Sequence, residues 1–146
     1  MNSTILTFDY PDSLIKQYNH WVILLRPKQT TLGSLILAYV PDVEKMSGVS
    51  EEGFLELGNV VKEVETVLND LFQYDKINYL TLMMVDKNVH MHIIPRYAAS
   101  QTYLNTSYID KGWPGVPDLS YSTSLNDQEK RVLLEQIKNS FDSLTS

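Results

Sequence analysis

An α+β fold is predicted for this 146-residue chain, with a mainly antiparallel sheet of about five strands, one long central helix and a C-terminal helix. Three observations predict it. Short aromatic and β-branched runs come in pairs divided by turn residues. One long stretch repeats its apolar residues at steps of three and four. A second stretch of that kind, behind its own capping signal, closes the sequence.

The elements follow in the order β-β-α-β-β-α. Residues 18–25, YNHWVILL, read as a strand that stops at Arg26-Pro27, and residues 34–40, SLILAYV, read as a second strand ended by Pro41. The turn at 29–33 makes the pair a hairpin. Ser50 opens a helix: its hydroxyl can cap free backbone N–H groups, and Glu51 and Glu52 suit the positive end of the helix dipole. Phe54, Leu57, Val61, Val64, Leu68 and Leu71 form its apolar face. Residues 77–84 are the third strand and 88–94 the fourth, joined through Val85-Asp86-Lys87. Residues 98–124 carry Gly112, Pro114, Gly115 and Pro117 and no clear periodicity, as long functional loops do. Asn126 and Glu129 resemble a capping box for a last helix through Leu133, Ile137, Phe141 and Leu144. One domain is expected over 1–146, its core at about 18–118 and the C-terminal helix at about 126–144.

Composition narrows the function. The chain has no cysteine, so neither a disulfide framework nor a thiolate metal site is available. The net charge of −6 disfavours broad nucleic-acid binding, which needs a basic surface to displace counterions. No apolar run approaches a membrane span, and the first residues lack the basic-then-apolar pattern of a secretory signal. A cytoplasmic location is expected.

The stretch NVHMHIIPRY, residues 88–97, holds two of the three histidines inside an otherwise apolar run. Successive strand side chains point to opposite faces, so Val89, Met91 and Ile93 face one way and Asn88, His90 and His92 the other, about 7 Å apart. The row fits three readings. It is a solvated sheet face, or part of a metal site completed by carboxylates, or a nucleophilic imidazole with a neighbour that holds phosphate.

HMHIIPR resembles the second half of the histidine triad (HIT) signature, His-φ-His-φ-His-φ-φ, with φ apolar. In this register Asn88 stands at the first triad position, His90 at the central one and His92 at the third. GSLIL, residues 33–37, resembles the family's Gly-His-φ-φ-φ strand, with Ser34 where histidine is usual. GWPGVP, residues 112–117, is similar to tails of bacterial branches. The resemblance spans roughly residues 18–118.

The resemblance implies a nucleotide hydrolase or nucleotidyl transferase. It would cleave at the α-phosphorus of a dinucleoside polyphosphate or nucleoside phosphoramidate through a nucleotidyl-histidine. It also implies a homodimer and no protein-bound cofactor or metal, with magnesium only as companion of a polyphosphate substrate. Carried onto this chain, His90 is the nucleophile and His92 donates to a non-bridging oxygen. Asn88 and Ser34 contact phosphate as neighbours across adjacent strands. Arg26 is a candidate phosphate fork, or else a strand-end surface charge. Asn78 is a candidate ligand near the phosphates, or else caps a turn; Trp113 is a candidate platform for a base or ribose, or else packs the tail onto the body, the favoured reading. Arg96 is expected to pair with a surface carboxylate, His20 to be half-buried and structural, and Met83, Met84 and Met91 to fill the core. The alternative reading is a nucleotide-binding module with weak or no catalysis.

Overall fold

The computed structural model describes residues 1–144. Five strands form the main sheet: β1 (Leu14–Gln17), β2 (Trp21–Leu25), β3 (Leu35–Tyr39), β4 (Lys76–Leu80) and β5 (His90–Arg96). Their spatial order is β1-β2-β3-β5-β4, and every neighbouring pair is antiparallel. With helices α2 (Glu51–Phe72) and α3 (Asp127–Ser143), the predicted α+β architecture is present.

The helices form because both ends of each bargain are satisfied locally. Ser50 Oγ accepts the Gly53 N–H, and Glu51 and Glu52 occupy the first turn of α2. Asn126 and Glu129 make a reciprocal capping box at α3. Both helices cover one face of the sheet. There Trp21, Ile23, Leu25, Leu35, Leu37, Met91 and Ile93 pack with Val60, Val64, Val67, Leu68 and Phe72 of α2 and Leu133, Ile137 and Phe141 of α3. The apolar stripe of α2 is rotated from its expected position. Gly53 and Val60 point inward, whereas Phe54 is exposed. A Cβ on Gly53 would lie 3.0 Å from both the Tyr39 ring and Val49, and its carbonyl accepts the Trp21 indole N–H at 2.7 Å. That close approach turns the neighbouring phenylalanine outward. Leu144, expected on the buried face of the last helix, is also exposed at its end.

Other expectations need correction. The third strand ends at Leu80, not at 84, and residues 81–89 form a longer connection. Met83 adopts φ +50° there, and Met84 and Val85 are exposed, so Met84 is not core filler, while Met91 is buried. The segment 98–124 contains a hairpin, β6 (Gln101–Tyr103) and β7 (Thr106–Tyr108), turned by Leu104 and Asn105 at φ +49° and +67°. Two positive φ values match the hand of a tight two-residue hairpin turn.

The sheet's other face is where the sequence reading was incomplete. Val22, Leu24, Ile36 and Ala38 form a second apolar layer with Ile5, and Phe8 and Tyr10 pack against it. Ile5 belongs to a short N-terminal helix, α1 (Ser3–Thr7), which with β1 was not anticipated. This face is therefore not a solvated one. It has its own cover.

Candidate active site

The parity of β5 is as expected. His90 lies opposite Ala38 and His92 opposite Ile36, while Val89, Met91 and Ile93 join the helix-side core. Both imidazoles emerge on the α1 side, with ring centroids 5.2 Å apart. Phe8 covers them, its ring centroid 5.7 Å from His90 and 5.9 Å from His92. The two residues are only 2% and 8% exposed.

Hydrogen bonds assign the tautomers. His90 Nδ1 lies 2.7 Å from the Asn88 carbonyl oxygen. A carbonyl can only accept, so Nδ1 carries the proton and Nε2 the lone pair. His92 is reversed. Its Nδ1 accepts from Arg26 Nε at 3.3 Å, which leaves the proton on Nε2. Burial first, then the Arg26 charge and His90, push the His92 pKa down to about 4, so this imidazole is neutral near pH 7. The pair thus presents one lone pair and one N–H donor side by side.

Those atoms are reachable. His90 Nε2, His92 Nε2 and Arg26 Nη2 have no partner among the described residues. The one side-chain polar atom there that is both buried and unpartnered is Thr123 Oγ1. The three nitrogens therefore retain some contact with solvent, beside the Phe8 ring that covers the imidazoles.

The remaining candidates divide. Arg26 joins the pair and is 9% exposed, which corrects its reading as a strand-end surface charge. Its Nη1 donates to the Lys28 carbonyl at 2.7 Å and to Thr30 Oγ1 at 2.8 Å. Asn88 is beside His90 but its amide is occupied. Oδ1 accepts from Thr4 Oγ1 at 2.9 Å and from the Thr4 N–H at 3.3 Å, and Nδ2 donates to Asp42 Oδ1 at 2.6 Å. It clasps α1 to the sheet. Ser34 is fully buried. Its hydroxyl donates to the Thr31 carbonyl at 2.8 Å and accepts the Thr31 N–H at 3.0 Å, closing the turn before β3. Nor are Asn88 and Ser34 neighbours: the β3–β5 register sets Asn88 by the Tyr39 end of β3 and Ser34 at its start. The turn needs Gly33 at φ +85°, where a Cβ would strike the Phe72 ring at 2.8 Å.

Asn78 shares the histidine face on β4, opposite Ile94, but its Oδ1 accepts from Arg96 Nη1 at 2.8 Å. Arg96 also makes a two-pronged pair with Asp110, at 2.7 and 3.0 Å, and donates to the Gly115 carbonyl. Asp110 is buried rather than a surface carboxylate. This anchor fixes the loop bearing Trp113, which is half-buried. Ring contacts of the imidazoles, among the described residues, are with Phe8 and with each other. His20 is half-buried, and its backbone N–H donates to Glu56.

Phe8, Thr4, Asp42 and Thr30 escaped the sequence reading. The aromatic in ILTF was the only signal for the first of them. Among the described residues, no group of three or more His, Asp or Glu side chains sits where it could hold a metal ion, and no helix is long and apolar enough to cross a membrane.

No family model matches the chain, and no curated protein matches it by sequence. Solved structures do match by shape. A hypothetical histidine triad nucleotide-binding protein of Sulfolobus tokodaii superposes with a TM-score of 0.71 at 20% identity, over 97% of this chain and 91% of that one. A histidine triad protein of Sinorhizobium meliloti gives 0.72 at 17% identity, over 96% and 95%. A Plasmodium falciparum diadenosine triphosphate hydrolase, solved with Cyclomarin A, gives 0.68 at 12% identity, over 93% and 80%. This chain has the histidine triad fold.

Proposed function

We propose that the chain is a nucleotide-binding hydrolase or nucleotidyl transferase that works through a nucleotidyl-histidine on His90. The observation that carries this reading is the opposite tautomers of the two imidazoles. His90 holds a solvent-touching lone pair, fixed by a backbone acceptor on its far side, next to a neutral N–H donor on His92. A nucleophile and an oxyanion donor in that relation are what in-line displacement at phosphorus requires. The names of the similar structures, a nucleotide-binding protein and a diadenosine triphosphate hydrolase, agree with it.

In this scheme the His90 Nε2 lone pair forms a bond to the α-phosphorus while the bond to the leaving group breaks, the leaving group keeping the electron pair. His92 donates to a non-bridging oxygen. Water then attacks phosphorus from the vacated side and loses its proton to solvent, while the P–N bond breaks with its pair returning to His90 Nε2, releasing nucleoside monophosphate. Neither Asn88 nor Ser34 supplies a proton, because both side chains are bonded elsewhere. A phosphate leaving group departs as a stable anion, whereas an amine must be protonated. The balance favours a dinucleoside polyphosphate over a nucleoside phosphoramidate. The protein itself brings no cofactor. A homodimer in the cytoplasm, acting on a small nucleotide rather than on nucleic acid, completes the reading.

The test is turnover of diadenosine polyphosphate labelled at the α-phosphorus, with an alkaline denaturing quench to trap the acid-labile adduct. His90→Ala should remove both the adduct and turnover. Turnover unchanged in that variant ends the proposal. Binding of AMP by calorimetry, with no product formed by the unaltered chain, would instead identify a non-catalytic nucleotide-binding module.

A further inference from the structure

We infer that Arg26 is a specificity-determining residue that receives a second oxyanion of the substrate, beside the phosphoryl group held at the histidine pair. This deepens the reading above and depends on it for where the reacting phosphorus sits. Its physical basis is separate.

A guanidinium is seldom taken out of water without a negative charge to meet it, because an unpaired buried charge is strongly unfavourable. Arg26 is 9% exposed, yet it forms no ion pair among the described residues; the two ion pairs are Lys16–Glu63 and Arg96–Asp110. Its partners are all neutral: the Lys28 carbonyl, the Thr30 hydroxyl and the His92 ring. Burial lowers its pKa, the direction expected of a cation lacking a counter-charge.

The orientation is fixed as well. Two bonds hold Nη1 and one holds Nε, so the planar group cannot swing toward bulk water without losing them. What remains is Nη2, unpartnered and touching solvent. Nε is spent on His92 Nδ1, so Nη2, with two N–H groups, is the donor left to meet an oxyanion in charge-assisted hydrogen bonds. With His92 neutral, Arg26 is a fixed positive charge bonded to its ring, so an anion that reaches Arg26 lies next to the histidines.

The prediction concerns ligands with two oxyanions on adjacent centres. Calorimetry on the full chain compares inorganic phosphate, pyrophosphate and phosphonoacetate. Pyrophosphate, phosphonoacetate or both should bind at least about tenfold more tightly than phosphate, the scale of one charge-assisted contact. Which of them does so tells whether the second group is phosphoryl or carboxylate. In Arg26→Gln that advantage should vanish, while affinity for phosphate itself changes less. The inference is overturned if neither probe outbinds phosphate in the unaltered chain, or if the advantage survives in Arg26→Gln with an unchanged circular dichroism spectrum. Should that variant not fold, the Arg26 side-chain 15N signal of the unaltered chain decides. A shift on adding the tighter-binding probe supports the inference, and indifference overturns it. No turnover enters these measurements. Loss of the His90 reaction and loss of the Arg26 preference are therefore separate results.

Discussion

Two arginines are buried on the histidine side of the sheet, one following β2 and one ending β5, and they are treated differently. Arg96 meets Asp110 through two nitrogens and gives its remaining bonds to Asn78 and the Gly115 carbonyl. Arg26 has neutral partners and one nitrogen left over. The first is complete within the chain and ties a loop down. The second has no counter-charge among the described residues, which is the basis for proposing that a ligand supplies one. Burial and residue type are shared, so the counter-charge is what separates the two.

Breaking the Arg96 side should have the largest effect. Asp110→Ala leaves a buried cation unpaired and is expected to cost about 3–5 kcal/mol of stability, read from urea unfolding of variant and parent. A loss below about 1 kcal/mol would show that the pair is solvated and that the contrast fails.

The pH dependence of stability sharpens the other end. His92 has its folded pKa lowered to about 4, below the value near 6.5 expected when unfolded. Between these values the unfolded chain binds a proton that the folded one refuses. This contribution is intact above pH 6.5 and is lost as the pH falls toward 4, at no more than about 1.4 kcal/mol per pH unit. Unfolding midpoints should rise in step from pH 4.5 to 5.5 to 6.5. His92→Gln should flatten part of that slope, and an unchanged slope would mean that His92 titrates normally in the fold.

The smallest effect is expected for the stability of Arg26→Gln. Removing an uncompensated charge offsets the lost bonds to Lys28 and Thr30, so unfolding free energy should change by less than about 1 kcal/mol. A loss as large as that of Asp110→Ala would place Arg26 with the architectural residues.

Much of this contrast was hidden in the sequence for identifiable reasons. Alternation along residues 88–94 sufficed to put the two histidines on one face, because a strand allows only two directions. Caps at Ser50 and Asn126 are local signals and were legible for the same reason. The cover over the site was not. Residues 2–10 make a single short turn of helix whose apolar positions show no period, and α1 is held by distant partners at Asn88 and Tyr39. The three-residue strands β6 and β7 are too short to display alternation. Arg26 could be named as a candidate, but no pattern in a sequence reports that a charge lacks a partner. The likeness of motif suggested that Asn88 and Ser34 would face phosphate; the register and their hydrogen bonds spend both side chains on holding the fold.

The acceptor that orients His90 is a main-chain carbonyl, and this has a practical consequence at the far end of the polypeptide. Any side chain at position 88 would offer the same oxygen, leaving the asparagine free to moor the start of the chain. A substitution at Thr4 would therefore disturb the residue whose carbonyl orients the proposed nucleophile.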